Sequence, residues 1–184
     1  MAKVYDNPIV QGLSGNLGRS RLQFKKGRNG TTIVALRPVF SENRVFNETQ
    51  LAQQEAFRQA TQYAVGAKNN PIYVSLAKGT DATAYNLAIA DWFGQPEVLD
   101  IDASNWTGQA GQTLRIQAKD DTLVTRVHIV IDDAHGNIFE QGEMIRVDNL
   151  WWTYTTTTQV PMDPAPRISA TAYDLPGNSN GKVF

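Results

Sequence analysis

After Pro96 the chain becomes a succession of short strand-like runs, and that density of strands narrows its fold more than any other feature. The runs lie at 98–101, 113–118, 125–131, 138–143, 151–158, 167–173 and 181–184. Turn chemistry separates them: Gly108 to Gly111, Asp120-Asp121, His135-Gly136-Asn137, Asp148-Asn149, Asp163-Pro164 and Pro176-Gly177-Asn178. Within 125–131, Val127, Ile129 and Ile131 share one face, while Arg126, His128 and Val130 share the other. Side chains alternate across a strand, so this spacing describes a strand with one face to be covered. Seven such runs, closely spaced by turns, predict a two-sheet β-sandwich.

The chain ahead of that region reads differently. Asn47 is placed to cap a helix over 48–67, with Glu48 and Glu55 toward its positive end. Ala52, Ala56, Ala60 and Ala64 recur every fourth residue, flanked by Leu51, Phe57 and Tyr63. A small-residue ridge of that kind lets another backbone approach closely. Gly66 and Asn69-Asn70-Pro71 end the helix. A short helical turn is expected over 71–77. A second main helix is expected over 81–93 behind Thr80, with Tyr85, Ala88, Ile89 and Trp92 as its apolar stripe and Gly94 and Pro96 as its stop.

The first 45 residues read as extended. Residues 20–26 alternate, 31–37 open on β-branched residues, and Gly27-Arg28-Asn29-Gly30 lies between them. Asn-Gly between two strand-like runs is a strong hairpin signal, because both positions tolerate positive φ. The expected fold class is therefore α+β and mainly β: an N-terminal arm and β-hairpin (1–45), a helical insert with two main helices (46–95), and a C-terminal sandwich (96–184).

Charge is divided along the same lines. Residues 1–44 hold eight Lys and Arg against two acids, a net of +6, and the remaining residues hold nine against sixteen, a net of −7. The total of −1 thus conceals a basic arm on an acidic body. Such an arrangement favours contact between one copy's arm and another copy's body, or between the arm and another polyanion. The chain has no cysteine, which excludes disulfides, thiolate metal sites and cysteine nucleophiles. No apolar run is long enough for a membrane-spanning helix. The first residues do not have the form of a secretory signal peptide. A cytoplasmic location is the expectation, with an assembled particle or signal-free export as alternatives.

Few motifs carry chemistry. Gly12, Gly15 and Gly18 are spaced three apart, but a strand rather than a helix follows, which is not the context of a phosphate-binding loop. The preferred reading is a backbone-rich arm able to lie along another subunit's sheet edge. The cluster Arg19, Arg21, Lys25, Lys26 and Arg28 is read as a subunit-contacting face. Nucleic-acid binding through the hairpin, with Phe24 as a stacking ring, is the alternative. Asp100, Asp102, Asp120, Asp121, Asp132, Asp133 and Asp174 fall near strand ends, where Ca²⁺ is an alternative to ordinary turn chemistry. His128 and His135 lack zinc-ligand spacing, and no G-x-S-x-G occurs, so no cofactor and no enzymatic activity are expected. In Trp151-Trp152-x-Tyr154, alternation sends Trp152 and Tyr154 to one face and Trp151 to the other. One Trp is expected in the core. A surface row of these rings would suit stacking on a sugar.

Two resemblances follow. Gln117-Ala118-Lys119-Asp120-Asp121, then Val127-His128-Ile129-Val130-Ile131 leading to Asp133-Ala134-His135-Gly136-Asn137, resemble bacterial immunoglobulin-like modules. So does Ile168-Ser169-Ala170-Thr171-Ala172-Tyr173-Asp174 with Gly177-Asn178. In those modules an A-x-D strand end, a V-x-V-x-I-x-D-x-x-G-N hairpin and a closing A-x-D-x-x-G-N recur. The resemblance covers the C-terminal half and implies a fold, not an activity. The N-terminal half, with Gly12-Leu13-Ser14-Gly15-Asn16-Leu17-Gly18, then Arg37-Pro38, then Gln54 and Phe57, is similar to bacterial proteins of unknown function. Together these features lead to the expectation of a non-enzymatic structural protein. It would self-assemble into a filament, tube or phage-like particle through its N-terminal arm. A carbohydrate- or protein-binding adhesion module is the first alternative, and nucleic-acid binding the second.

Overall fold

The computed structural model describes residues 2–4, 10, 13–17, 20–27, 31–133 and 135–184. The chain forms two compact units, residues 1–54 and 55–184.

In the N-terminal unit, β1 (Ala2–Val4), β2 (Gly15–Asn16), β3 (Leu22–Lys26) and β4 (Thr32–Leu36) make one antiparallel sheet in the order β1-β4-β3-β2. The expected hairpin is β3 and β4, with Phe24 opposite Val34 and Lys26 opposite Thr32. Gly27 N–H donates to Thr31 O at 2.7 Å. A Cβ on Gly27 would lie 2.1 Å from Thr31 Oγ1 and 3.1 Å from Thr31 O, so a side chain there would force Thr31 to move. The Arg28-Asn29-Gly30 turn lies outside the described residues. The two outer strands were not foreseen, because two or three residues are too few to show an alternation.

Helix α1 (Glu48–Ala67) starts where expected. Asn47 Oδ1 accepts from Gln50 N–H at 2.8 Å, and Gln50 Oε1 accepts from Asn47 N–H at 3.2 Å. This reciprocal pair is a capping box, satisfying two amides that the helix leaves open. Helix α2 (Pro71–Ala77) follows an Asn70 cap and carries Pro at its first position, where no N–H is needed. Helix α3 (Ala84–Phe93) begins later than expected. Its cap is Thr83, which accepts from Asn86 N–H at 3.2 Å. Thr80 instead donates to Ala77 O at 3.1 Å and accepts from Ala82 N–H at 3.3 Å, so its hydroxyl is spent in a local turn. The alanine ridge is only half realised: Ala60 and Ala64 are buried, Ala56 is half-buried and Ala52 is exposed. In the C-terminal unit Ala64, Tyr73 and Ala88 form a small core, with Tyr63, Tyr85, Leu87, Ile89 and Leu175 packed against it.

Eight strands make the rest of that unit: β5 (Glu97–Asp102), β6 (Thr113–Lys119), β7 (Arg126–Asp132), β8 (Ile138–Glu143), β9 (Ile145–Arg146), β10 (Trp151–Thr155), β11 (Arg167–Tyr173) and β12 (Ser179–Val183). They form two antiparallel sheets in the orders β5-β6-β10-β9 and β12-β11-β7-β8. One apolar cluster draws on both: Val98, Leu114, Ile116, Ala118 and Trp152 from the first, Val127, Ile129, Ile131, Ile168, Ala170 and Ala172 from the second. Each fully buried Leu, Ile or Val contributes about 1.5–3 kcal/mol relative to exposure. The molecule is mainly β with three helices, an α+β composition. Strand β10 is shorter than expected because Thr157 and Thr158 leave the ladder to donate to Glu140.

Candidate functional site

The alternation of β3 and β4 gives the N-terminal sheet an apolar face. Leu22 stands opposite Leu36 and Phe24 opposite Val34, so the four share one face. Yet among the residues of this unit whose burial is described, Thr32 alone is buried, and it stands on this same face opposite Lys26. Leu22, Phe24 and Val34 are half-buried, and Leu36 is 65% exposed. Leu13, Leu17, Val39, Phe40, Val45 and Leu51 are exposed as well. Among the described residues of this unit the stacking is local: the Arg44 guanidinium lies over Phe40 and Phe46, at 5.2 and 4.5 Å. Ordinarily a sheet buries its apolar face against a second layer of structure. Here the face is covered at Thr32, half-covered at Leu22, Phe24 and Val34, and open at Leu36.

The expected contact residues sort as follows. Gly12, Gly18, Arg19 and Arg28 lie outside the described residues. Gly15 sits in β2 at φ +110°, in the left-handed region that favours glycine, opposite Phe24. Arg21 closes the open end of the hairpin: Arg37 N–H donates to Arg21 O at 2.6 Å and Arg21 Nη2 donates to Arg37 O at 3.1 Å. Lys25 and Lys26 are exposed neighbours on β3, so alternation sends them to opposite faces. Lys26 shares the face of Leu22 and Phe24. Among the described residues none of Arg21, Lys25, Lys26 or Arg37 makes an ion pair. The described cations of β3 are thus divided between the two faces of the sheet.

The aromatic run of β10 is divided by its position. Trp152 is in the core at 4% exposure, and Tyr154 packs against that core. Trp151 faces the other way, half-buried, with the Arg115 guanidinium 4.5 Å above its ring. Of the three expected stacking residues, Trp152 is buried while Trp151 and Tyr154 are half-buried, the first under Arg115 and the second bonded to Glu140.

Two buried polar networks escaped the sequence reading. Asp91 on α3 is buried and accepts from the Tyr73 hydroxyl, which lies 2.8 Å from the Tyr63 hydroxyl. Asn178 Nδ2 donates to Gly94 O at 2.9 Å and to Asp174 Oδ2 at 2.8 Å, tying the α3 exit to the β11–β12 turn. Burial, reinforced by repulsion from Asp120 and from Asp174, raises the Asp91 carboxyl above the ordinary range. Burial does the same to Asp174. Asp91 follows Ala84 and Ala88 at helical spacing, and an acid on that stripe was the signal available in the sequence. The second network centres on Glu140, which accepts from Tyr154 Oη, from Thr157 N–H and Oγ1, and from Thr158 N–H and Oγ1. Burial opposes its ionisation, but these donors together hold its carboxyl below the usual range.

Four of the other strand-end acids, Asp102, Asp120, Asp132 and Asp133, are engaged in turns or pairs. Asp102 accepts from Ser104, Asp120 from the amides of Thr122 and Leu123, and Asp133 from His135 and Asn137. Asp132 takes both arms of Arg167, at 2.8 and 2.7 Å. Among the described residues no group of three or more His, Cys, Asp or Glu is arranged to hold a metal ion. Nor is any helix among them long and apolar enough to cross a membrane.

No protein-family model matches the chain, and no curated protein matches it. Among solved structures, an engineered protein from a structural genomics consortium aligns over 56% of this chain and 22% of its own length, at 16% identity and a TM-score of 0.34. The chain thus spans about a fifth of that protein's length. A conjugative transposon lipoprotein from Bacteroides eggerthii aligns over 50% of this chain and 93% of its own, at 15% identity and a TM-score of 0.24. Likenesses of this size assign this chain neither a fold nor a function.

Proposed function

We propose that this chain is a non-enzymatic structural protein that assembles with copies of itself, the N-terminal unit of one copy docking on the C-terminal unit of the next. The observation that carries the proposal is the formed N-terminal sheet on whose apolar face Leu22, Phe24 and Val34 are only half-buried and Leu36 is exposed. Charge identifies the occupant. Residues 1–54 hold eight cations and three acids, a net of +5, whereas residues 55–184 hold nine and fifteen, a net of −6. A second copy therefore brings a surface of opposite sign. The C-terminal unit is read as an immunoglobulin-like sandwich. In support, lettering its strands in chain order turns β5-β6-β10-β9 into A-B-E-D, and β12-β11-β7-β8 into G-F-C followed by an added edge strand, the order of that fold. Docking of a head on a different tail surface gives a ring where the rotation closes and a filament or tube where it does not.

Light scattering on the full chain, with electron microscopy of the same sample, tests the reading. Multimers whose mass falls as salt rises are expected. A Lys26→Glu/Leu36→Glu chain, altered at two exposed positions on one face of the sheet, should remain monomeric. A wild-type chain that stays near its 20.3 kDa monomer mass at high micromolar concentration and low salt would overturn the reading.

A further inference from the structure

We infer that the seam between the helices and the sheets of the C-terminal unit is a clasp fastened by protons: neutralising the buried carboxylates of Asp91 and Asp174 tightens the hold of α3 on the β11–β12 turn, and ionising them slackens it. The inference is independent of the self-assembly reading.

Three carboxylates meet at this seam from three parts of the chain. Asp91 lies in the last turn of α3, Asp174 opens the β11–β12 turn, and Asp120 follows β6. Asp91 is 3% exposed and Asp174 4%, while Asp120 is half-buried. From the other helices the titratable groups that face Asp91 are phenols. Tyr73 of α2 donates to it, and Tyr63 of α1 is bonded to Tyr73 at 2.8 Å. No cation answers the three acids. The ion pairs among the described residues are Arg58–Glu55, Lys119–Glu97, Arg126–Glu143 and Arg167–Asp132, and the last turn of α3 has no basic residue. Lys119, next to Asp120 in sequence, is thus already taken by Glu97.

Charge is disfavoured there on three counts. A buried carboxylate without a counter-ion has lost its hydration. Like charges in one cluster resist joint ionisation. The last turn of a helix is the negative end of its dipole, so Asp91 ionises against it. A proton relieves all three. Burial comes first among the causes, and both carboxyls lie above the ordinary range.

The clasp holds the end of α3. Asn178 Nδ2 donates to Gly94 O at 2.9 Å, with Trp92 O and Asp91 O at 3.3 and 3.4 Å. Asp174 fixes that amide from both sides: its Oδ2 accepts from Asn178 Nδ2 at 2.8 Å, and its Oδ1 accepts from the Gly177 and Asn178 amides at 2.8 and 2.6 Å. A turn distant in sequence therefore caps carbonyls that the helix leaves open. Leu175 of the same turn packs on the small core of Ala64, Tyr73 and Ala88. With so little apolar burial, the polar seam takes a large share in holding the helices, and a segment of that kind opens locally. Both carboxyls titrate higher when folded, so their contribution is full below about pH 3.9 and is lost as pH rises through the folded values. Mild acid thus tightens the clasp while Glu140, which titrates low, still supports the sheets.

Hydrogen exchange on the full chain, read by mass spectrometry at pH 7 and pH 5 and corrected for the intrinsic pH dependence of exchange, tests this. Protection of α3 and of residues 174–178, taken relative to β7, should rise about tenfold toward pH 5, the equivalent of one pH unit in one group. Asp91→Asn, which keeps an acceptor for Tyr73, should show the acid level of protection already at pH 7 and change by less than about threefold. Carboxyl-carbon NMR of the wild-type chain keeps the test open should that variant misfold: the Asp91 and Asp174 midpoints should both lie above about 3.9. Protection that rises equally in α3 and β7 overturns the inference. So does a rise in Asp91→Asn as large as that of wild type, or either midpoint at or below the unfolded value.

Discussion

Replacing Glu140 with glutamine should destabilise the C-terminal unit by about 2 kcal/mol, and with alanine by about 4 kcal/mol. The carboxylate is 6% exposed. Its Oε1 accepts from Tyr154 Oη at 2.8 Å, Thr157 N–H at 2.6 Å and Thr157 Oγ1 at 2.7 Å. Its Oε2 accepts from Thr158 Oγ1 at 2.9 Å and Thr158 N–H at 3.3 Å. Glutamine can keep an oxygen at the first position but must then turn its NH₂ toward Thr158. The Thr158 hydroxyl can rotate to accept, whereas its amide cannot. One bond is lost and three fall from charged-acceptor strength, roughly 1.5–3 kcal/mol each, to neutral strength, roughly 0.5–1.5 kcal/mol. Summing these overcounts, since the bonds share one group and Thr157 and Thr158 have access to water. Urea unfolding followed by tryptophan fluorescence measures the difference, and a glutamine variant within about 0.5 kcal/mol of wild type would refute the reasoning.

The same residue fixes a sign with pH. Glu140 titrates lower in the folded chain than unfolded, so its stabilisation is present above the unfolded value of about 4.3 and is lost as pH falls through the folded value. The gap between wild type and Glu140→Gln should be flat from neutral pH down to about pH 5, then close in stronger acid. A gap that widens in acid would contradict the assignment.

Asp91 should behave in the opposite sense. Its carboxyl titrates higher when folded, so its favourable contribution is full below about pH 3.9 and is lost as pH rises through the folded value. Asp91→Asn, which keeps an acceptor for Tyr73, should be the more stable chain in melts at pH 7, with the difference closing toward pH 4; an asparagine variant less stable at pH 7 contradicts this. Tyr73→Phe strips the donor from buried Asp91 and the partner from Tyr63, and should cost about 1–3 kcal/mol in urea unfolding. Gly142→Ala would set a Cβ 2.6 Å from Tyr154 Cε2 and should cost about 1–3 kcal/mol. Gly108→Ala should cost more, because it combines φ +80° with a Cβ 2.3 Å from the backbone oxygen of Val160, which cannot swing away as a ring can; the two melting curves rank them.

Local signals were legible in the sequence where one element carries the whole message. Val127, Ile129 and Ile131 are all buried, as their spacing required, and Asn47 caps α1 where a helix had to begin. Thr80 and Thr83 show the limit of such signals. Both are threonines ahead of the same apolar stripe, and the backbone chose the one whose hydroxyl was not already used in a turn. Networks joining distant positions left weaker traces. Glu140 and Thr157 are seventeen residues apart, and Asp91 and Tyr73 eighteen, so nothing near either acid names its partner.

The N-terminal unit marks a deeper boundary. Leu22 and Phe24, set against Val34 and Leu36, alternate as cleanly as the strands of the C-terminal core, yet none of the four is buried. Periodicity states that a face is to be covered and is silent about what covers it. In residues 55–184 the cover is the other sheet of the same chain, so pattern and burial agree. In residues 1–54 they disagree most at Leu36, and ordering a strand residue costs roughly 1–2 kcal/mol that a partly covered face offsets only in part. The self-assembly proposal answers that imbalance with a second copy, whose net negative C-terminal unit would suit the net positive residues 1–54. On the self-assembly proposal, formation of the sheet and docking of its face would be one coupled step, which makes the exposed Leu36 and Lys26 the residues whose replacement tests it.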